Sequence, residues 1–197
     1  MFGKKAYNRY SDEQLIPLVV TGDDKAFNEL YLRYNQRLLY YFYRMLGNSN
    51  DKAQDFLQDI FIKVIDKAHL FDNSRKFSTW IFSIAYNMCK NEYRRLHIRK
   101  ESPVEFYCDI LSDGMECADW DEPGVDPVEF AKDLFTELEN FDETHKTVFL
   151  LHYREGFSIK DISQTLEISE GTIKSRLFYT RKRLSERLNK YQPNVNL

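Results

Sequence analysis

Residues Ile168 to Leu184 read ISEGTIKSRLFYTRKRL. The whole chain holds 31 Asp+Glu against 28 Lys+Arg, yet this stretch carries Lys174, Arg176, Arg181, Lys182 and Arg183 with Glu170 as its only acid. Ile173, Leu177, Thr180, Leu184 and Leu188 recur at spacings of three and four, which predicts an amphipathic helix over 169–188. Ser175, Phe178, Tyr179 and Lys182 then lie opposite the apolar stripe, with Lys174, Arg176 and Arg181 on its flanks. Such a face suits the DNA major groove: Lys or Arg donates to guanine, serine adapts to several bases, and an aromatic edge meets a thymine methyl. A charged helix face is often only solvated surface, and the two outward aromatics weigh against that here.

The residues upstream strengthen the reading. Ser158 is placed to cap a short helix with Asp161 three residues on, and Ile159, Ile162 and Leu166 give it a buried side. Only Glu167-Ile168-Ser169 separate the two helices, the spacing of a helix-turn-helix.

Composition points to helices elsewhere too. The 197 residues are 43% hydrophobic and 15% aromatic, with only 7 Gly and 5 Pro, and no strand-hairpin signal stands out. Ser11 and Gln14 form a capping box for a first helix that contains Pro17. After the break at Thr21-Gly22-Asp23, Phe27, Leu30, Tyr31, Tyr34, Leu38, Phe42 and Met45 mark a longer helix ending at Gly47-Asn48. A helix from about Asp51 to Leu70 carries Ala53, Leu57, Ile60, Val64 and Ala68. Another begins near Ser78, with Phe77, Ile81, Ile84, Ala85 and Met88 inward.

Periodicity fails after Ile98, where Glu101, Glu105, Asp109, Asp113, Glu116, Asp119, Asp121 and Glu122 gather among Pro103, Gly114, Pro123 and Gly124. This predicts an acidic linker, which at about 3.4 Å per residue would reach roughly 95 Å. Helices resume at about Pro127 and again at Asp142. The expected fold is all-α: a compact helical domain over 11–97, a flexible acidic linker over 98–126, and a helix-turn-helix domain over 127–190.

Two further faces follow from helical phase. Opposite the core stripe of the helix after Phe77 lie Thr79, Ser83, Tyr86, Asn87, Lys90 and Arg94, with Trp80 and Tyr93 at the rims. Rings offer stacking platforms to unpaired bases while Lys and Arg neutralise phosphates, so this mixture suits single-stranded DNA; ordinary half-buried packing is the competing reading for Trp80. The helix before it exposes Asp55, Gln58, Asp59, Ile62, Lys63 and Asp66, either a protein-docking patch or plain solvated surface.

Other functions find no support. No apolar run approaches the roughly 20 residues of a membrane span, and the N-terminus lacks the apolar centre of a signal peptide, so the chain is expected to stay in the cytoplasm. Cys89, Cys108 and Cys117 show no metal-site or disulfide spacing, and no cofactor is expected. There is no Walker motif, metal-ligand set or nucleophile-base arrangement to suggest an enzyme.

Several of these segments, in this order, resemble the extracytoplasmic-function group of bacterial sigma-70-family sigma factors. GDDKAFNELYLRY is similar to the group's opening helix, DFLQDIFIKVIDKAHLFD to the helix that docks on core RNA polymerase, and FSTWIFSIAYNMCKNEYRR to the promoter-melting helix. YREGFSIKDISQTLEISEGTIKSRLFYTRKRL resembles the region that reads the minus-35 element, with Gly171 to Leu177 the most diagnostic run.

The resemblance implies that Asp55, Gln58, Asp59, Ile62 and Lys63 contact the polymerase's largest subunit. It implies that Phe71, Phe77, Thr79, Trp80, Ser83, Tyr86, Asn87, Lys90 and Arg94 serve the single-stranded minus-10 element. Thr172, Lys174, Ser175, Arg176, Phe178, Tyr179, Arg181 and Lys182 would enter the major groove at minus-35. It also implies an anti-sigma factor as a regulatory partner. The chain departs from the group's pattern at Glu167, where glycine is usual in the turn, at Ser163 in place of a small alanine, and at Ser169 in place of proline. The rival is a stand-alone two-domain regulator, which would bind palindromic half-sites as a dimer.

Overall fold

The structure, a computed structural model, describes residues 7–99 and 126–191. Among these residues there is no β-strand. The segment 100–125, which holds most of the expected linker, lies outside the described residues.

Four helices form the N-terminal unit: α1 (Asp12–Val20), α2 (Asp24–Met45), α3 (Asn50–Lys67) and α4 (Phe77–Arg99). The capping box at Ser11 and Gln14 is formed, and Pro17 sits within α1 without ending it. Asp23 accepts from the N–H groups of Lys25 and Ala26 to start α2, and Gly47 and Asn48 both turn with positive φ after it. The α4 start is capped from a distance: the Phe77 N–H donates to the Glu13 carboxylate of α1 at 3.0 Å. Burial pushes that carboxyl up, but the N–H groups of Phe77 and Glu13, the Ser11 side chain and the Lys76 charge together outweigh it and hold its pKa below the usual value. The α4 helix carries on to Arg99, two residues into the expected linker.

The C-terminal unit consists of α5 (Pro127–Leu138), α6 (Glu143–Phe149), a π-helical turn (Leu150–Arg154), α7 (Ile159–Leu166) and α8 (Glu170–Arg187). Asp126 and Asp142 cap α5 and α6. Gly156, at φ 68°, closes the π turn where a side chain would be strained.

The core of the N-terminal unit follows the predicted stripes. Leu30, Tyr34, Leu38, Phe42, Ile60, Val64, Phe77, Ile81 and Ala85 are buried, while Tyr31 is partly exposed. Aromatic edges interlock through it, with Tyr34 against Phe77 at 5.2 Å and Tyr41 against Phe82 at 5.6 Å between ring centroids.

The two units pack against each other, and the cores run together. The Tyr41 hydroxyl lies 3.1 Å from that of Thr147, and the Phe82 ring meets Phe157 at 5.4 Å. Arg37 pairs with the nearly buried Glu155 at 2.6 Å, and Lys76 with Asp161 at 2.9 Å. Arg44 and Arg154 add cationic stacking: Arg44 lies 3.8 Å from the Phe135 ring centre and Arg154 3.8 Å from that of Tyr40. This closed arrangement follows from no local pattern in either half. Its contacts join residues about 100 positions apart in sequence.

Candidate nucleic-acid interface

The helix-turn-helix forms as the sequence predicts. Ser158 caps α7 in a full capping box with Asp161. Glu167 stands at φ 57° and ψ 40°, the left-handed conformation a glycine would adopt with less strain. Two bonds hold it there. Its N–H donates to Ser163 O, and the Ser163 hydroxyl donates to Ile168 O at 2.6 Å. The serine that replaces a small alanine thus ties the turn that lacks glycine. Ser169 then caps α8, accepting from the Thr172 N–H at 3.1 Å.

The α8 helix seats Ile173, Leu177, Thr180, Leu184 and Leu188 inward, all buried. Lys174, Ser175, Phe178, Tyr179, Arg181 and Lys182 are exposed. Phe178 and Tyr179 show 62% and 63% of their surface while packing edge to face at 5.5 Å, which apolar rings do at a cost unless something covers them. Thr172 is exposed, with its hydroxyl 2.9 Å from that of Ser169. Arg176 departs from the expected outward set: it is half-buried, and its guanidinium lies 3.6 Å from Asp142.

The face of α4 is different. Asn87 and Arg94 are exposed, and Trp80, Ser83 and Lys90 half-exposed, with the Lys90 ammonium 5.7 Å from the Tyr86 ring centre. Thr79 and Tyr86 are only 6% and 8% exposed, against the open polar face that helical phase predicts. The C-terminal unit packs on that side: α7 lies against α4, and Phe157 covers Phe82, which stands three residues from Thr79 and four from Tyr86 and so shares their side of the helix. Phe77 is fully buried against Tyr34, and Phe71 is buried with it; together with Trp80 they form one aromatic cluster. Phe71 and Phe77 therefore support the α4 face in this structure and do not present rings to a base.

On α3, Asp55, Gln58, Asp59 and Ile62 are exposed and Lys63 half-buried. Ile62 is 57% exposed, and Ile65, three residues on along the same helix, is 53% exposed. No group of three or more His, Cys, Asp or Glu that could hold a metal occurs among the described residues. No described helix is long and apolar enough to cross a membrane.

The fold and the helix-turn-helix define the class: an all-helical protein, among the described residues, whose second unit carries a helix-turn-helix. Residues 30–98 match the family model for sigma-70 region 2 and residues 136–184 that for sigma-70 region 4. The chain is 32% identical to the ECF RNA polymerase sigma-E factor of Haemophilus influenzae, over 93% of this chain and 96% of that protein. It is 29% identical to the ECF RNA polymerase sigma factor SigW of Bacillus subtilis, over 88% of this chain and 94% of that one. The chain belongs to the extracytoplasmic-function group of RNA polymerase sigma factors.

Solved structures agree on the fold. That of the sigma factor RpoE in complex with the anti-sigma factor NepR from Bartonella quintana superposes with a TM-score of 0.64 at 24% identity, covering 85% of this chain and 99% of that one. CnrH, solved in complex with the cytosolic domain of CnrY, gives 0.65 at 22% identity, covering 92% and 99%.

Proposed function

We propose that this protein binds core RNA polymerase and directs it to promoters, with α8 reading minus-35 duplex, α4 holding the minus-10 single strand, and the α3 face docking on the polymerase. The observation that carries the reading is the pairing of a helix-turn-helix with a second, chemically different polar face on another unit. The outward face of α8 suits base edges, with short polar and aromatic side chains between cations. The α4 face suits unstacked bases, with Trp80 and Asn87 beside Lys90 and Arg94.

The protein contributes no bond-making step of its own in this reading; polymerase does the chemistry. Its effect on strand opening comes from binding single-stranded promoter DNA more favourably than duplex. Domain limits of 11–97 and 127–190 suit this division, because each unit carries one DNA face. Full use of the α4 face requires the C-terminal unit to lift away, since Thr79 and Tyr86 are covered while the two units pack. An anti-sigma factor, the partner with which RpoE of Bartonella quintana was solved, is proposed as the regulatory partner here.

The test is run-off transcription with bacterial core polymerase, with and without the protein, on a pool of genomic fragments. Protein-dependent transcripts sharing a bipartite upstream motif are expected. Absence of transcripts, together with failure to co-elute with core enzyme, would favour a stand-alone regulator.

A further inference from the structure

The flank of α8 that faces the α5–α6 turn is engaged by that turn at two points. Arg176 and Arg183 are seven residues apart, so they share one side of the helix. The Arg183 guanidinium lies 4.8 Å from the Phe141 ring centre, and that of Arg176 lies 3.6 Å from Asp142. Lys174 and Arg181, also seven apart, occupy the other flank and are exposed. Arg176 and Arg183 thus have partners on the α5–α6 turn, although Arg183, like Lys174, Arg181 and Lys182, is exposed.

The anchor for Arg176 is itself fixed. Asp142 Oδ1 accepts from the N–H groups of Thr144 and His145 at 2.9 and 3.0 Å, and Oδ2 lies 2.7 Å from His145 Nδ1. On the other side, only 29% of the Arg176 side chain is exposed, and its Nε is buried without an acceptor. The stem is laid into the protein and directed away from the groove-facing surface. Roughly a quarter-turn separates it from Ser175 and Lys182, the centre of the outward face. That face is complete without it.

We propose that Asp142 and Arg176 form a bracket that sets the pose of the recognition helix, making Arg176 a positioning residue and not a reader of bases. The proposal rests on the minus-35 reading of α8 and deepens it. It assigns sequence reading to Lys174, Ser175, Phe178 and Lys182, and it gives the α5–α6 turn a part in the strength of promoter binding although no side chain of that turn need touch a base.

The experiment measures binding of holoenzyme, formed from the full chain and core polymerase, to promoters differing by single base pairs across minus-35 and at several salt concentrations. Circular dichroism of each variant establishes that it is folded. Arg176→Ala is expected to weaken binding about tenfold on every promoter alike, leaving base preference and the dependence on salt unchanged. Asp142→Asn keeps the helix cap but loses the charge, and is expected to weaken binding about two- to fivefold in the same even way. It should add nothing once Arg176 is alanine, and Arg176→Lys should recover most of the loss.

A relaxed preference at one base pair in Arg176→Ala, or a salt slope shallower by about 1, would mean direct DNA contact and overturn the proposal. Additive effects of the two substitutions would overturn it as well. Should Arg176→Ala fail to fold, Arg176→Lys and Asp142→Asn decide by the same criteria. A wild-type holoenzyme indifferent to minus-35 would bring down the minus-35 reading and this proposal together, whereas wild-type dependence with variants outside the pattern overturns the proposal alone.

Discussion

The α8 helix and the α4 helix both present polar, aromatic and cationic side chains, yet only one of them presents them freely. On α8, the residues opposite the core stripe are exposed, down to two adjacent aromatic rings. On α4, Thr79 and Tyr86 are buried, on the side of the helix where the C-terminal unit packs at Phe82. An amphipathic stripe tells which side of a helix meets its own core. It does not tell whether a second unit will cover the other side.

The largest effects should come from breaking the cover. Phe157→Ala removes a ring seated on Phe82, and a buried Phe→Ala change typically costs about 3 to 5 kcal/mol. Amide exchange is expected to rise in α4 around Thr79 to Tyr86 while the outward turns of α8 keep their rates. Unchanged exchange in α4 would mean that this contact does not hold the units together.

Substitutions on the open faces should come next, at about 1 to 3 kcal/mol each if the contact is a good one. Lys174→Ala should weaken minus-35 binding and spare strand opening on a promoter held by other contacts. Asn87→Ala should do the reverse, leaving polymerase binding intact and lowering permanganate reactivity of minus-10 thymines. Equal reactivity in mutant and wild type would remove Asn87 from the melting face.

Within the helix-turn-helix, the changes are smaller. Glu167→Gly should stabilise the chain by about 1 kcal/mol, because glycine adopts the left-handed conformation without the Cβ penalty. Ser163→Ala should destabilise it by about 1 kcal/mol through loss of the bond to Ile168 O. Urea denaturation of the two variants reads both signs.

Smallest is the pH effect on the Lys76–Asp161 contact. Burial pushes the Asp161 carboxyl up, but the Ser158 hydroxyl and Lys76 hold it below its ordinary value. A carboxylate with a lowered pKa contributes fully above its unfolded value near 3.8, and the contribution is lost as pH falls through the lower folded value. Acid should therefore loosen α7 from α4, and Lys76→Met should shrink that pH dependence; an unaltered acid profile would show that the pair contributes nothing to closure.

Much of this was legible in the sequence. Caps at Ser11 and Ser158, the three-residue turn from Glu167 to Ser169 and the buried stripe of α8 all depend on neighbours within a few residues, and local pattern specifies such features. What the pattern missed depends on distant partners. Phe82 and Cys89 are buried core residues on α4, and Phe71 and Phe77 belong to an internal aromatic cluster. Asp142 looked only like a helix start, and its pairing with Arg176 requires the packing of α6 on α8. A serine in place of alanine at 163 was the one local signal of the turn's second tie, since a hydroxyl there can bond a nearby carbonyl.

The most direct test is the distance between spin labels at Ser74, just before α4, and Lys160 on α7, both exposed and beside the Lys76–Asp161 pair, in the free protein and in holoenzyme on promoter DNA. The two-face account predicts a single short distance in the free chain and a shift to a much longer one in the complex, as α4 and α8 reach elements well separated along the duplex. An unchanged short distance in a complex that initiates transcription would contradict it.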